Sequence, residues 1–502
     1  MFDFLKYVSF VDIFNMSILI VFTICYIYQY FYIIVGLIRD IKFPEAKKNH
    51  IFASIICARN EEQTIGNLID SIKAQSYPKD KLDIFVIADN CTDNTSQIAL
   101  SKGAYVIPRK NDKLVGKGYA MDYGLNVIMR QMMGVPAAVM GTSICKKAQS
   151  ATILAPKGKK VLFPNNKLTD DFFENRSCSS DYKMHKENEA FDISNYDTPG
   201  DGRGYEAFFI FDADNVLDKN YFAAMNKAYD VGFSVCTSYR NAKNWDHNWI
   251  SSGYATWFMR EARFLNQPRC ALHTSCSVSG TGFYVDSRII LKNKGWKWFL
   301  LTEDIQFASQ NIISANRIGY VPDAILYDEQ PVKLIDSWNQ RFRWTRGFYQ
   351  VFAYYGGKLF KHIFTNPRGH KFACYDMLMT IAPGMLLTII SLIFNAVVIF
   401  LGIIGVLSIG MCISSSLTSI LFCIVNFILL MFIFGLITIF VEWNNIRATS
   451  FKKVKSIFTF PFFMLTYIPL AVVALFKKVE WKPIKHTFTV NIEDFKDHKS
   501  KK

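Results

Sequence analysis

Five short polar clusters in this 502-residue chain hold side chains suited to chemistry on a charged substrate. In order they are ARNEE after Phe52–Cys57, DNCTD after Leu82–Ala88, FDADN after Glu206–Phe211, LTED from Leu301, and NQRFRW from Asn339. Asp212-Ala213-Asp214 closes an apolar run. Strand residues two apart point the same way, so two carboxylates there would suit Mg2+ or Mn2+, which takes one or two carboxylates plus phosphate oxygens of a substrate. A turn rich in Asp has the same look. Thr302-Glu303-Asp304 falls where a helix should begin; Thr caps and first-turn acids suit the helix dipole. Equally, a carboxylate held there could take a proton from a hydroxyl nucleophile. In NQRFRWTRGF (Asn339–Phe348), Arg341 and Arg343 could neutralise a departing diphosphate, and Trp344 offers a flat face to a sugar ring. An amphipathic helix at a membrane interface has the same composition.

The elements that must position these residues follow a regular rhythm. Phe52–Cys57, Leu82–Ala88, Ala104–Pro108 and Glu206–Phe211 read as strands. Gln63–Gln75, with Ile65, Leu68, Ile69 and Ile72 on one face, and Gly118–Met133 read as helices, with Asp93 as a cap ahead of another. Strand and helix alternating at this spacing predict an α/β domain with a largely parallel sheet. The polar clusters then lie at carboxyl ends of strands, where such sheets bind ligands. No GxGxxG follows the first strand and no GxxxxGK[ST] occurs, which excludes a dinucleotide fingerprint and a P-loop. Residues 134–204 break the rhythm and read as an insertion: a possible hairpin, Ala151–Phe163, then a polar stretch poor in aliphatics, expected as a solvated loop.

Composition is 51% hydrophobic, which signals membrane segments around a soluble domain. Residues 1–48 hold an uncharged run, 16–38, longer than the roughly 20 residues that cross a bilayer core and lacking the cleavage site of a signal peptide. Residues 49–330 form the soluble domain, 331–374 an amphipathic interfacial region, and 375–476 return to the membrane with spans at 377–408 and 417–441. The segment 457–476 contains Pro461 and Pro469 between basic flanks and is expected to be interfacial or re-entrant, making three spans, with a basic cytoplasmic tail at 477–502. Arg39, Lys42, Lys47 and Lys48 follow the first span, whereas only Lys6 precedes it, which predicts a cytoplasmic soluble domain on a multi-pass plasma-membrane protein. The net charge of +15 sits largely at membrane flanks, so anionic lipid accounts for it and nucleic acid does not. The 11 cysteines form no CxxC pair and are expected to be reduced, with no zinc site.

Taken in order, Asp89, Asp212-Ala213-Asp214, Thr302-Glu303-Asp304 and Gln340-Arg341-Phe342-Arg343-Trp344 resemble the D, DxD, TED and QxxRW pattern of the processive family 2 glycosyltransferases, which include the cellulose, hyaluronan and poly-N-acetylglucosamine synthases. The resemblance spans roughly Phe52 to Trp344 with the flanking membrane helices, apart from the insertion. It implies a GT-A fold and an inverting hexosyltransferase that uses a nucleotide-sugar donor, usually UDP-linked, with Mg2+ or Mn2+ as cofactor. Carried over residue by residue, it implies that Ala58, Arg59, Asn60, Glu61 and Asp89 contact the nucleotide. Lys117 and Arg343 would meet the diphosphate, and Asp212 and Asp214 the metal. Asp304 would be the base, supported by Glu303, while Gly280, Thr281, Gln340 and Trp344 border the acceptor. The LTEDI form leans toward UDP-GlcNAc, then UDP-glucose, with a growing polysaccharide as acceptor and partner subunits or a homo-oligomer possible on the membrane. Two other readings stay open: a glycolipid glycosyltransferase adding one sugar to a lipid, since ceramide glucosyltransferases carry a QxxRW-like motif, and a non-catalytic polysaccharide sensor.

Overall fold

The strand FASIICA is apolar at nearly every position because both its faces are covered. It is the first of eight among the described residues: β1 (Phe52–Ala58), β2 (Leu82–Asp89), β3 (Tyr105–Arg109), β4 (Ala207–Asp212), β5 (Val216–Leu217), β6 (Val235–Ala242), β7 (Phe283–Asp286) and β8 (Ile318–Asp328). They form one sheet in the order β3-β2-β1-β4-β7-β6-β8-β5. Alternation splits the buried residues between two cores. Ala53 and Ile55 turn toward Phe85, Ile87, Phe208 and Ile210, whereas Phe52 and Ile56 turn toward Val86, Phe209 and Phe211. The first four expected strands are present and mutually parallel. β7 and β5 run antiparallel to their neighbours, so the sheet is mixed.

The computed structural model describes residues 10–131, 133, 153–156, 204–367, 369–381, 383–477 and 479. The expected hairpin and polar stretch of the insertion lie outside the described residues except 153–156, where Leu154 bridges Val106 at the sheet edge.

Among the described residues four helices are long and apolar enough to cross a membrane: Phe10–Ile38, Leu386–Ile403, Ile409–Val441 and Ser450–Phe476. By length and composition the proline-bearing segment therefore joins the three expected spans. Its prolines leave the helices intact for local reasons. Pro461 lies within Ser450–Leu465, among neighbours that bury Phe460 and Phe463. Pro469 stands in the first turn of Tyr467–Phe476, where its missing N–H has no intrahelical partner to lose. The expected run 377–408 is likewise two helices, Lys371–Ile381 and Pro383–Ile403, and the next begins at Ile409 rather than Leu417.

The sheet-bearing domain and the membrane helices meet at several places, of which two are built on a close backbone approach and a buried charge. Gly36, in the first membrane helix, lies so close to a π-helical turn at Ala262–Asn266 that a Cβ would sit 2.6 Å from the Arg263 carbonyl oxygen. Nearby, the Asp376 carboxylate accepts hydrogen bonds from Arg269 Nε (2.7 Å) and Nη2 (2.6 Å), Tyr28 (2.9 Å) and Tyr32 (2.8 Å). Three segments far apart in sequence thus close on one buried charge. Replacing Asp376 with Asn strands the buried Arg269, and loss of one partner of such a pair costs about 3–5 kcal/mol. A clear fall in the thermal midpoint of the detergent-solubilised chain is expected; an unchanged midpoint would show that the pair does not hold these segments together.

Candidate active site

β7 runs antiparallel to both β4 and β6, and β8 runs parallel to β6. The carboxyl ends of β1, β2, β4, β6 and β8 therefore share one edge of the sheet. A cavity of about 1420 Å³ opens there and continues between the membrane helices. Its sheet end is lined by Ala58, Arg59, Glu61, Asp89, Lys117, Asp212 and Asp214; its far end by Leu19, Phe22, Tyr26, Leu430 and Ile433.

Most, but not all, of the expected residues reach it. Asn60 has φ of +58° and its side chain accepts the Thr92 N–H at 2.8 Å, so it shapes the loop after β1 and does not line the cavity. Asp89, at the end of β2, is paired with Arg109 from the end of β3. Burial raises the Asp89 pKa even so, against the pull of that guanidinium. Lys117 opens the helix Lys117–Gln131, and its ammonium contacts Asp212 and donates to the Gly280 carbonyl at 2.7 Å. Although burial opposes its charge, Asp212 and Glu303 hold the Lys117 pKa above its ordinary value.

Asp212-Ala213-Asp214 does not alternate as a strand, because β4 ends at Asp212 and a turn follows. The turn nevertheless brings Asp214 to the cavity wall, mostly buried, with Oδ2 accepting the Glu329 N–H at 3.2 Å. Thr281, expected beside an acceptor, instead braces this turn: its hydroxyl accepts the Asp212 N–H at 3.0 Å and bonds Asn215. Gly280 does line the cavity. Among the described residues no three His, Cys, Asp or Glu side chains gather into a metal-holding group. The donors present at the turn are oxygens, and the Lys117 ammonium on Asp212 shows that this carboxylate attracts a cation, which fits an ion needing only one or two carboxylates.

Glu303 and Asp304 begin the helix Glu303–Ile313 and face the cavity. Burial raises both pKa values; the Asp304 charge raises Glu303 further, while backbone N–H groups at the helix start and Lys117 oppose the rise at Asp304. Thr302 does not cap this helix. Its hydroxyl faces Gly347 of the long helix Leu334–Thr365, where a Cβ would lie 2.5 Å from the Thr302 methyl and 2.7 Å from its hydroxyl. That close approach sets the Gln340, Arg343 and Trp344 face of the helix against the carboxylates, since positions 340, 343, 344 and 347 share one face. Gln340 Oε1 and Arg343 Nε are buried without a hydrogen-bond partner among the described residues. Both side chains line the cavity, so these two atoms are open to a ligand there.

Arg341, grouped with Arg343 by sequence, turns the other way. It is fully buried, stacks near Tyr254, Phe463 and Tyr467, and donates to the Phe463 carbonyl and the Thr466 hydroxyl. Arg346 likewise donates to the Ala474 and Leu475 carbonyls at the end of the last helix. Both arginines therefore fasten the long helix to the Ser450–Phe476 segment.

Sequence reading missed Arg240 and Asp328, which pair beside the turn of Asp214. Burial pushes Asp328 up to about 6 against Arg240, with Asp214 adding to the rise. Lys243 also reaches the Asp214 carbonyl. Each stands at a strand end, as ARNEE and DNCTD do, so the same signal could have found them. Gly347→Ala is expected to force Thr302 aside, with overpacking of about 1–3 kcal/mol, and to lower the thermal midpoint; an unaltered midpoint would mean the helix moves away freely.

The comparisons agree with this geometry. The family model described as Glycosyl transferase family 2 matches residues 54–130, and that of Glycosyl transferase family group 2 matches residues 207–475, more than half the chain. A 4,4'-diaponeurosporenoate glycosyltransferase of Staphylococcus aureus (strain USA300) is 42% identical over 91 residues, which is 17% of this chain; the match spans only 24% of that relative's length. Among solved structures, the mannosyltransferase PcManGT from Pyrobaculum calidifontis, in complex with GDP-Man and Mn2+, is 12% identical with a TM-score of 0.52, covering 93% of this chain and 99% of that one. At that identity the likeness concerns the fold, a mixed sheet of GT-A type. With both halves of the strand-end constellation inside matched regions, the chain belongs to glycosyl transferase family group 2.

Proposed function

We propose that this protein is a membrane-embedded inverting enzyme that moves a hexosyl group from a UDP-sugar to a hydroxyl presented from the membrane side of its cavity. The observation that carries the reading is the convergence of Glu303, Asp304, Lys117, Asp212 and Arg343 on a cavity that continues between membrane helices. UDP-GlcNAc is the first donor to consider from the LTEDI form and UDP-glucose the second. The basic flank at Arg39, Lys42, Lys47 and Lys48 supports a cytoplasmic catalytic domain at the plasma membrane.

In this reading Asp304 takes the proton of the acceptor hydroxyl as its oxygen attacks the anomeric carbon. The bond from that carbon to the diphosphate breaks, and the electron pair leaves with the nucleotide. Arg343, its Nε without a protein partner, and Lys117 meet the charge that develops on the leaving group. Ala58, Arg59, Glu61 and Asp89 would hold the nucleotide, and Gln340 and Trp344 the acceptor sugar or head group. Asp212 and Asp214 would hold Mg2+ or Mn2+, in keeping with the Mn2+ bound by PcManGT. The ion would supply further neutralisation of diphosphate charge.

The acceptor admits two readings. Leu19, Phe22, Leu430 and Ile433 at the far end of the cavity favour a lipid that receives one sugar per turnover. The LTEDI resemblance favours a growing polysaccharide. The deciding assay is nucleoside diphosphate release by the full-length protein in lipid vesicles with Mg2+ or Mn2+, across UDP-GlcNAc, UDP-glucose, UDP-galactose, UDP-glucuronate and GDP-mannose, with product sizing. Sustained release from one UDP-sugar with singly glycosylated lipid is expected. Polymer would transfer the conclusion to the polysaccharide reading, preference for GDP-mannose would overturn the UDP assignment, and silence with every donor would favour the sensor.

Asp304→Asn should reduce turnover by about 10²-fold or more with donor binding retained; near-normal turnover would remove Asp304 as base. Only the deprotonated carboxylate accepts a proton, and its pKa is raised by burial. Turnover should therefore climb with pH well above the ordinary Asp value of about 3.9, and a profile already flat there would contradict this role.

A further inference from the structure

Arginines that line the cavity divide by their partners. Arg240 is paired with Asp328 and Arg269 with Asp376. Arg343 has no carboxylate partner among the described residues, and the leaving diphosphate accounts for it. Arg260 has none either, and nothing in the transfer step above uses it.

Arg260 ends the helix Trp249–Glu261 at the cavity wall and is 5% exposed. Its one hydrogen bond among the described residues runs from Nη2 to Gln29 Oε1 at 3.0 Å, although a guanidinium carries five N–H donors. Its carbon lies 5.0 Å from the Trp257 ring centre and 4.5 Å from that of Phe434. Gln29 belongs to the first membrane helix and Phe434 to Ile409–Val441, so the charge sits where the cavity passes between membrane helices. Burial pulls the guanidinium down to about 10, with Glu261 supporting its charge and Arg269 opposing it. A buried charge without a counter-charge is unfavourable unless an anion meets it. The same cavity carries Asp304, and Glu261, next to Arg260 in sequence, is near enough for its charge to act on Asp304.

We propose that Arg260 is an anion subsite for the acceptor: the phosphate or carboxylate of an amphiphile seated from the membrane side rests on the Arg260 fork while the amphiphile's hydroxyl reaches Asp304. This deepens the lipid-acceptor reading and rests on it. The flat guanidinium offers paired N–H groups to either anion, the rings of Trp257 and Phe434 flank the alkyl portion, and the membrane helices continue the apolar path. The donor diphosphate belongs to the other end of the cavity, at Lys117 and Arg343.

The test uses binding, so it does not depend on turnover. The thermal midpoint of the full-length protein in dodecyl maltoside is followed with dodecyl phosphate, dodecanoate, dodecanol and inorganic phosphate. Dodecyl phosphate or dodecanoate is expected to stabilise the protein at a concentration about tenfold lower than dodecanol, with inorganic phosphate inert. Arg260→Gln should erase that preference and Arg260→Lys retain part of it. Gln29→Glu, which sets a carboxylate beside the guanidinium, should erase it too, and covers the case in which Arg260→Gln does not fold. Equal response to dodecanol and dodecyl phosphate, a preference surviving both Arg260→Gln and Gln29→Glu, or inorganic phosphate matching dodecyl phosphate would each overturn the proposal. Failure of the donor assay alongside a positive result here would reject the transferase reading while leaving the anion site standing.

Discussion

A carboxylate from the membrane side, Asp376, governs how the two halves of this protein meet. It receives four hydrogen bonds, two from Arg269 of the soluble domain and two from tyrosines of the first membrane helix. Arg269 and Asp376 are both almost fully buried, so each depends on the other for charge compensation. Because the pair ties domain and helices together, the sheet-edge cavity continues between the membrane helices. The Gly36 contact with the π-helical turn serves the same end: it brings a membrane helix against the backbone that carries Glu261 into Arg269.

Within that frame the long helix Leu334–Thr365 does two jobs on two faces. Gln340, Arg343 and Trp344 line the cavity, with Gly347 one turn on against Thr302; Arg341 is buried away from it, against Phe463 and Thr466 of the helices that follow. The absent side chain at Gly347 lets the first face come close to Thr302, and the Arg341 contacts with Phe463 and Thr466 hold the second. Arginine suits both roles because its planar fork serves as a buried hydrogen-bonding hub or as a partner for phosphate. Composition alone could not assign one arginine to each.

How much was legible in advance follows from the range of the interactions involved. The first four strands, the helix after LTED and the strand-end placement of Asp89 and Asp212 come from periodicity and turn chemistry, both local. Asn60 and Thr281 were misplaced because their neighbours in sequence do line the cavity, while their own side chains are claimed by Thr92 and by the Asp212 turn. Thr302 lost its capping role to a glycine 45 residues away in sequence. Pro461 and Pro469 argued against a span, yet the segment is helical over Ser450–Leu465 and Tyr467–Phe476, with Pro469 in the first turn of the second helix.

The amino-acid sequence by itself determined the class of fold, the order of the D, DxD, TED and QxxRW clusters and the presence of membrane segments, because each depends on residues close along the chain. Tertiary structure alone decided that Arg343 faces the cavity while Arg341 does not, that Arg240 and Asp328 join the site, and that Arg260 forms no ion pair with a carboxylate among the described residues. Those outcomes depend on which distant segments a buried charge meets, and desolvation makes that meeting decisive in energy while leaving no mark in local sequence.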